Sequence, residues 1–227
     1  MKKINLNNSD NTRDLGGYKT LDNKETKYNI FIRSDLITNL NNSEVNYFLK
    51  NNIKTIIDFR SDEEIIKKTS YFANDNRFSY NRVILFGRDA PSKEKDIPYS
   101  YMNILDDKKS MKKVIDIILN TSNGILFHCN MGKDRTGVIS MILLLVANIS
   151  PEVIIKDYAL SDIYLKRIID EYHEKNPNIP KFIGHAKEKY MKKNLELFFN
   201  KYENITNYFI YLGFNQKDID KIKQRFL

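Results

Sequence analysis

Residues 124–147 constrain the fold of this 227-residue chain more than any other stretch. Residues 124–129, GILFHC, are apolar enough for a buried strand, and a short polar turn follows them. Residues 138–147 are the most apolar run of the chain, but they are about half as long as a membrane-spanning helix. A buried strand that leads through a tight turn into a buried helix is typical of an α/β sheet.

The rest of the first half alternates strand-like and helix-like segments. Runs rich in β-branched and aromatic residues predict strands at residues 29–33, 53–59 and 80–86. The predicted helix N-caps are Ser43, Ser61 and Ser110, and Glu64 completes a capping box with Ser61. Residues 87–107 contain two prolines and are predicted to form a loop. Strands and helices that alternate through short connections predict an α/β fold with a mostly parallel sheet.

The chain from Pro151 onward has a helical pattern, with Ser150 as the predicted cap of the first helix. Residues 176–180 contain two prolines and interrupt it, and Gly213 is predicted to end a helix. The last helix is predicted to begin after Asn215 and to bury its apolar face. The length suits one domain, with an α/β core over about residues 1–150 and a helical part over about residues 151–227.

Charge and cysteine content exclude several classes of protein. Lys and Arg number 37 and Asp and Glu 29, which gives a net charge of +8. The basic residues form no run of five or more, so no nucleic-acid partner is predicted. A single cysteine excludes an internal disulfide. One cysteine and three histidines in the whole chain are also few potential ligands for a metal site.

No transmembrane segment and no signal peptide is predicted, which favours a cytoplasmic location.

The segment with the most specific chemistry runs from His128 to Gly137, HCNMGKDRTG. The only cysteine, Cys129, ends the predicted strand, and five residues separate it from Arg135. A strand that ends in a tight loop before a helix directs successive backbone N–H groups into one concavity, which binds anions. Arg135 is placed to clamp two phosphate oxygens, and the same positive field favours the thiolate of Cys129. A thiolate held in line with a phosphoester is an activated nucleophile.

This segment resembles the signature loop of the protein tyrosine phosphatase superfamily, in the version of a bacterial branch of tyrosine and phosphoinositide phosphatases. A second motif, NTRDLGG at residues 11–17, is similar to the N-terminal signature of that branch. Weaker similarities occur at residues 33–35, 57–61 and 157–161. The resemblance implies a phosphatase-like central, mostly parallel sheet flanked by helices, with additional C-terminal helices. It also implies that no metal or organic cofactor is needed, and that export without a recognisable signal peptide is an alternative to a cytoplasmic location.

The resemblance implies a role for each residue of the loop. Cys129 would form the cysteinyl-phosphate, Arg135 would bind phosphate and the transition state, and Thr136 would donate a hydrogen bond to the thiolate. His128 would support the loop, and Lys133 would lie at its rim and contact an acidic substrate. The remaining residues implied to bind substrate are Asn130, Met131 and Gly132.

The general acid has two candidate locations. Many superfamily members carry this aspartate on a separate upstream loop, where the sequence offers Asp89, Asp96, Asp106 and Asp107. The branch with the GKDR sequence uses the aspartate of the phosphate loop, which is Asp134 here. We favour Asp134, because it is adjacent to Arg135, and Asp96 is the alternative.

Two further pairs of charged residues are open to two interpretations. Arg13 and Asp14 either support the phosphate loop or belong to a structural turn with the glycines that follow. Asp58 and Arg60 end a strand parallel to the catalytic one and either approach the ligand or form a structural ion pair.

The predicted function is that of a cysteine-dependent phosphatase acting on phosphotyrosine proteins, with dual or lipid specificity as an extension. The first alternative is a phosphoinositide phosphatase, which Lys133 and the basic surface favour. The second is a phosphate-binding module without catalysis. The predicted partner is thus a phosphorylated protein or a phosphoinositide.

Overall fold

A computed structural model describes residues 2–85 and 91–227. In this part of the chain, one six-stranded sheet has the order β1-β2-β3-β6-β4-β5. Its strands are β1 (Lys2–Lys3), β2 (Arg13–Asp14), β3 (Phe31–Ser34), β4 (Ile53–Asp58), β5 (Ser79–Arg82) and β6 (Gly124–His128). Strands β3, β6, β4 and β5 are parallel, and β1 and β2 are antiparallel additions at one edge. The predicted α/β class with a mostly parallel sheet is confirmed.

Helices cover both faces of this sheet. In chain order they are α1 (Asn42–Lys50), α2 (Asp62–Lys67), α3 (Ile97–Asp106), α4 (Lys108–Asn120), α5 (Asp134–Val146), α6 (Pro151–Tyr164), α7 (Lys166–Lys175), α8 (Glu188–Tyr202), α9 (Ile205–Leu212) and α10 (Gln216–Phe226). Short 3-10 turns occur at Tyr71–Asn74 and Glu94–Asp96. None of the helices in the described part of the chain is long and apolar enough to span a bilayer.

The sheet separates two apolar clusters, because successive side chains of a strand point to opposite faces. In β6, Ile125 and Phe127 join the larger cluster, whereas Leu126 joins the smaller one. The smaller cluster includes Val45 and Phe48 of α1. The larger cluster combines the apolar helix α5 with side chains of α3, α4, α6 and α8 to α10. The core therefore includes residues from both halves of the chain.

The helical pattern predicted after Pro151 is confirmed in five helices, α6 to α10. α6 begins at Pro151 after Ser150, and residues 176–187 interrupt the helices between α7 and α8. Gly213 ends α9 in the left-handed conformation, with φ of +93°. Asn215 caps α10, which buries Ile219, Ile222 and Phe226 as predicted.

Three predictions about element boundaries are wrong. Asn41, rather than Ser43, caps α1 through a capping box with Glu44, and Asp107, rather than Ser110, caps α4. The strand predicted at residues 80–86 is the shorter β5, and Phe86 lies outside the described residues.

The loop predicted at residues 87–107 is wrong in its second half, where α3 forms. Pro98 lies in the first turn of that helix, where a missing N–H breaks no hydrogen bond. Residues 87–90 of this predicted loop lie outside the described part of the chain.

Candidate active site

Cys129 lies where the central strand of the sheet ends. β6 runs between β3 and β4, so its carboxyl end opens at the middle of the sheet, where ligands of α/β folds bind. α5 begins at Asp134, and only residues 129–133 separate the strand from the helix. Cys129 itself is buried, with 3% of its surface exposed. The strand, turn and helix predicted around it are confirmed.

Four consecutive carbonyl groups of this loop, those of residues 130–133, accept hydrogen bonds from the protein body. The donors are Leu36 N–H to Asn130 O (2.9 Å), Asn11 Nδ2 to Met131 O (2.8 Å) and Gly132 O (3.1 Å), and Arg33 Nη2 to Gly132 O (2.8 Å) and Lys133 O (3.4 Å). Across a trans peptide the C=O of one residue and the N–H of the next point in opposite directions. The N–H groups of residues 131–134 are therefore directed away from these donors, in the arrangement of an anion-binding nest.

Gly132 is required by the close approach of the loop to β3. Its φ is +62°, in the left-handed region that side chains disfavour. A Cβ added there would lie 2.4 Å from the carbonyl carbon and oxygen of Ser34. Only glycine lets the loop come near enough to Asn11 and Arg33 for their hydrogen bonds.

A buried ion cluster holds Asn11 and Arg33 in place. Asp157 of α6 accepts hydrogen bonds from Arg13 Nε (3.0 Å) and Arg33 Nη1 (2.5 Å), and Arg13 Nη1 donates to Asn11 Oδ1 (2.5 Å). Burial opposes ionisation of Asp157, but the charges of Arg13 and Arg33 outweigh it and lower the pKa of Asp157 to about 2. Burial and the nearby Arg13 lower the pKa of Arg33 to about 10, so both members of the pair are charged at neutral pH.

Asp14 lies apart from the loop, although it follows Arg13 directly. Its carboxylate accepts hydrogen bonds from the backbone N–H groups of Gly16 (2.8 Å) and Asn29 (2.7 Å). Burial raises the pKa of Asp14. Arg13 thus lies in the cluster under the loop, whereas Asp14 fixes the turn that connects β2 to β3.

The side chains next to Cys129 stabilise its sulfur and its backbone. Thr136 Oγ1 donates to Cys129 Sγ at 3.2 Å. His128 Nδ1 donates to the carbonyl of Cys129 at 3.1 Å. Burial lowers the pKa of His128, although Asp58 opposes this from 3.5 Å, so the imidazole is neutral at pH 7. Within the described residues, no group of three or more His, Cys, Asp and Glu side chains is arranged to hold a metal ion.

Glu64 of α2 holds the arginine of the loop. Arg135 donates to it through Nη1 (2.6 Å) and Nη2 (2.7 Å), and Asn130 Nδ2 donates to the same carboxylate at 2.7 Å. Burial opposes the charge of Arg135, but Glu64 and the adjacent Cys129 outweigh it and raise the pKa of the guanidinium. The sequence predicts for Glu64 only the capping box with Ser61, which is also present. The sequence signal for this second role is that Glu64 follows β4, the strand that neighbours β6 in the sheet.

Asp58 and Arg60 form a buried ion pair, which decides between the two interpretations of these residues. Arg60 Nη2 lies 2.6 Å from Asp58 Oδ2, and Tyr80 OH donates to the same oxygen at 2.5 Å. Both residues are fully buried. Their interaction fixes the end of β4 next to the loop.

Asp134 begins α5 beside Arg135, with 43% of its side chain exposed. Tyr101 OH donates to its Oδ1, and Lys133 Nζ lies 3.4 Å from its Oδ2. Lys133 is itself buried, and its Nζ also donates to the carbonyl of His185 at 3.1 Å. The side chain of Lys133 thus faces Asp134 and the backbone, whereas the resemblance implied a place at the rim of the loop.

The upstream aspartates have other surroundings. Asp106 pairs with Lys201 at 2.6 Å, and Asp107 caps α4. Asp96 closes the 3-10 turn before α3, and Asp89 lies outside the described residues. Of the described candidates, Asp134 is the one that belongs to the loop itself. Met131 is half-buried, and its carbonyl is one of the two that Asn11 binds.

The fold and the loop define a class of protein, one with an anion-binding turn between the central strand of a mostly parallel sheet and a buried helix, and with a cysteine at its start. Comparison with known proteins gives the family. The model of the tyrosine phosphatase family matches residues 4–227, so this chain belongs to that family.

One curated relative and two solved structures illustrate the similarity. A tyrosine-protein phosphatase from Nostoc commune is 30% identical over 145 residues, which is 60% of this chain and 49% of the relative. The chain therefore spans about half the length of this curated relative. P. aeruginosa TpbA in complex with pTyr has 11% identity and a TM-score of 0.34, over 87% of each chain. The Siw14 catalytic core has 18% identity and a TM-score of 0.40, over 79% of this chain and 98% of that one.

Proposed function

We propose that this chain hydrolyses phosphomonoesters through a phosphorylated cysteine, with phosphotyrosine in proteins as its substrate class. The observation that carries the proposal is the loop of residues 129–135, whose anchored carbonyls direct the N–H groups toward an anion. The family match and the name of the Nostoc commune relative support phosphotyrosine.

The first step transfers the phosphoryl group to Cys129. The thiolate attacks phosphorus, the S–P bond forms, and the P–O bond to the leaving group breaks. Asp134 gives its carboxyl proton to the leaving oxygen, so the phenol departs neutral. Arg135 and the N–H groups of residues 131–134 bind the other phosphate oxygens and stabilise the charge of the transition state.

The second step releases the phosphate. Water attacks phosphorus, the carboxylate of Asp134 takes a proton from the water, and the S–P bond breaks. The electron pair of that bond returns to Cys129 as a thiolate, to which Thr136 Oγ1 donates a hydrogen bond. Asp134 is then protonated again, and the enzyme is ready for another turnover.

We assign the acid to Asp134 rather than to Asp96. Asp134 lies on the loop that binds the phosphate, adjacent to Arg135, and its carboxyl group is already held by Tyr101. Asp96 stands at the start of α3 and makes no side-chain capping bond. We expect Asp134→Asn to slow substrates with poor leaving groups more than those with good ones, and Asp96→Asn to slow neither.

The surroundings of Lys133 do not favour a phosphoinositide as the substrate. That alternative was based on Lys133 and on the basic surface. The ammonium group of Lys133 is buried between Asp134 and the carbonyl of His185, so only the basic surface still favours it. Turnover of a phosphoinositide is therefore one of the outcomes that the substrate panel can give.

We also infer that the chain acts as one phosphatase domain, with an α/β part over about residues 1–150 and a helical part over about residues 151–227. In support, Tyr158 of α6 and Phe198 of α8 pack in the same apolar cluster as Phe127 of β6. The helical part also supplies Asp157 to the ion cluster under the loop.

A substrate panel on purified protein tests the proposal. The panel contains a phosphotyrosine peptide, a phosphoserine peptide and a short-chain phosphoinositide, each with wild-type protein and with Cys129→Ser. We expect turnover of the phosphotyrosine peptide by wild type only, with binding retained in the variant because the loop N–H groups and Arg135 remain. Turnover confined to the phosphoinositide would replace the substrate class, and binding without any turnover would show a phosphate-binding module.

A further inference from the structure

A buried tyrosine approaches the proposed acid from the helix that was predicted to be a loop. Tyr101 lies in α3 with 1% of its surface exposed, and its hydroxyl donates to Asp134 Oδ1. α3 thus delivers a neutral hydroxyl group to an acidic side chain on another element.

The hydrogen bond continues to a second buried tyrosine. Tyr158 OH of α6 lies 2.6 Å from Tyr101 OH, and the two rings make an edge-to-face contact with centroids 6.0 Å apart. Tyr101 has one hydroxyl proton, and it uses this proton in the hydrogen bond to Asp134. Tyr158 is therefore the donor in the hydrogen bond between the two hydroxyl groups. Burial, followed by the charge of Asp134, raises the pKa of both phenols well above 10, so both keep their protons at neutral pH.

The second oxygen of Asp134 faces different groups. Lys133 Nζ lies 3.4 Å from Oδ2, and Arg135 is the other charged neighbour on the loop. Tyr190 of α8 also interacts with the charge of Asp134. Since Tyr101 occupies Oδ1, the proton that moves to and from substrate belongs on Oδ2. Oδ1 accepts from Tyr101 in both protonation states, so the contact persists through both steps.

We propose that Tyr101, oriented by Tyr158, is a positioning residue that holds the carboxyl group of Asp134 in the geometry for proton transfer. The proposal rests on the proposed function. Asp134 is partly exposed at the first turn of α5, where its side chain would otherwise sample several rotamers. A displacement of about 1 Å in a reacting group costs up to about a hundredfold in rate. One fixed hydroxyl donor removes that freedom without adding a charge to the site.

The test compares Tyr101→Phe with wild type on two aryl phosphates that differ in leaving group, phenyl phosphate and 4-nitrophenyl phosphate. The variant keeps the buried ring and removes only the hydroxyl. We expect kcat/KM to fall about tenfold for phenyl phosphate, which is part of the roughly 10²–10⁴-fold that general acid catalysis supplies in total. The loss for 4-nitrophenyl phosphate is expected to stay within about twofold, because its leaving group needs little protonation. The inhibition constant of inorganic phosphate is expected to stay unchanged, since the loop is intact.

Two further variants separate positioning from packing. Tyr208→Phe is the matched control: Tyr208 is also fully buried, and its hydroxyl donates to Leu105 O at 3.0 Å. It is expected to match wild type on both substrates. Tyr158→Phe keeps the hydroxyl of Tyr101 without its donor and is expected to show a smaller loss of the same kind. It also carries the test if Tyr101→Phe does not fold.

A double-mutant cycle links the effect to the acid. If Tyr101 acts through Asp134, Tyr101→Phe has no further effect in the Asp134→Asn background. Multiplicative losses, equal losses on the two substrates, or a Tyr101→Phe variant as active as wild type would overturn the inference alone. A wild-type protein that turns over neither substrate would overturn the proposed function, and this inference with it.

Discussion

The contacts of Arg135 occupy the end of its guanidinium and leave the edge that carries Nε–H without a hydrogen-bond partner in the described part of the chain. A guanidinium has five N–H donors, and in the described contacts Glu64 and the carbonyl of Phe59 use three of them. The remaining donors are Nε–H and one N–H of Nη2, which lie on the same edge of the planar guanidinium. Two parallel donors match two phosphate oxygens. Under the proposed function, Glu64 therefore selects the edge that Arg135 offers to phosphate.

The role of Glu64 is tested by Glu64→Gln. Glutamine at this position preserves the capping box of α2 but removes the charge that pairs with Arg135. We expect kcat/KM for an aryl phosphate to fall roughly tenfold, with a parallel weakening of inhibition by inorganic phosphate, because both depend on charge-assisted hydrogen bonds of this kind. Glu63→Gln, one residue earlier and exposed, is the matched control and is expected to match wild type. Equal effects of the two substitutions would contradict the role.

At the scale of elements, Asp157 joins helix α6 to strands β2 and β3 under the phosphate loop. It lies 144 residues from Arg13 and 124 from Arg33 along the chain, and all three side chains are buried. Removing the carboxylate would leave two buried guanidinium groups without their counter-ion, which costs more than the pair contributes. The loop carbonyls would then lose well-positioned donors as well.

We expect Asp157→Asn to lower the free energy of unfolding by about 3–5 kcal/mol, as measured by urea denaturation. Asp170→Asn in α7 is the control. Asp170 forms an exposed pair with Lys166, worth about 0–1 kcal/mol at most. A loss at Asp157 no larger than that at Asp170 would show that the buried cluster does not hold the loop.

The same cluster gives the protein a defined sensitivity to acid. The pKa of Asp157 is lowered from 3.8 to about 2, so its contribution is complete above about pH 4 and is lost as the pH falls toward 2. The shift corresponds to about 2 kcal/mol in the free energy of unfolding. In Asp157→Asn this part of the acid dependence is expected to be absent. Unfolding curves of both proteins between pH 5 and pH 2 measure it, and identical slopes would contradict the assignment.

The sequence predicts best those elements whose determining residues are contiguous along the chain. β6, the loop and α5 are contiguous, so the apolar strand, the cysteine, the glycine and the arginine are read from one segment. The sequence does not reveal α3 because prolines are typical of loops, whereas Pro98 occupies the first helical turn, where proline is tolerated. Contacts distant in sequence were also missed. Glu64 and Arg135 are 71 residues apart, and only the sheet order brings them together.

At the scale of the whole molecule, the net charge of +8 does not describe the site. The basic side chains around the loop are paired internally: Arg13 and Arg33 with Asp157, Arg60 with Asp58, Arg135 with Glu64, and Lys133 with Asp134. The positive character available to a phosphate comes instead from the loop N–H groups, the start of α5 and the open edge of Arg135. The charge excess belongs to the remaining surface.

In the proposed mechanism, Cys129 carries the phosphoryl group during turnover. Intact mass measurement of Asp134→Asn, mixed with 4-nitrophenyl phosphate and quenched in acid, tests this step. This substrate needs little protonation to form the intermediate, whereas its hydrolysis needs the carboxylate as a base, so the intermediate accumulates. We predict one added phosphoryl group per chain, located on Cys129 and absent from Cys129→Ser. A phosphoryl group on another residue, or turnover by Cys129→Ser at the wild-type rate, would rule out Cys129 as the nucleophile.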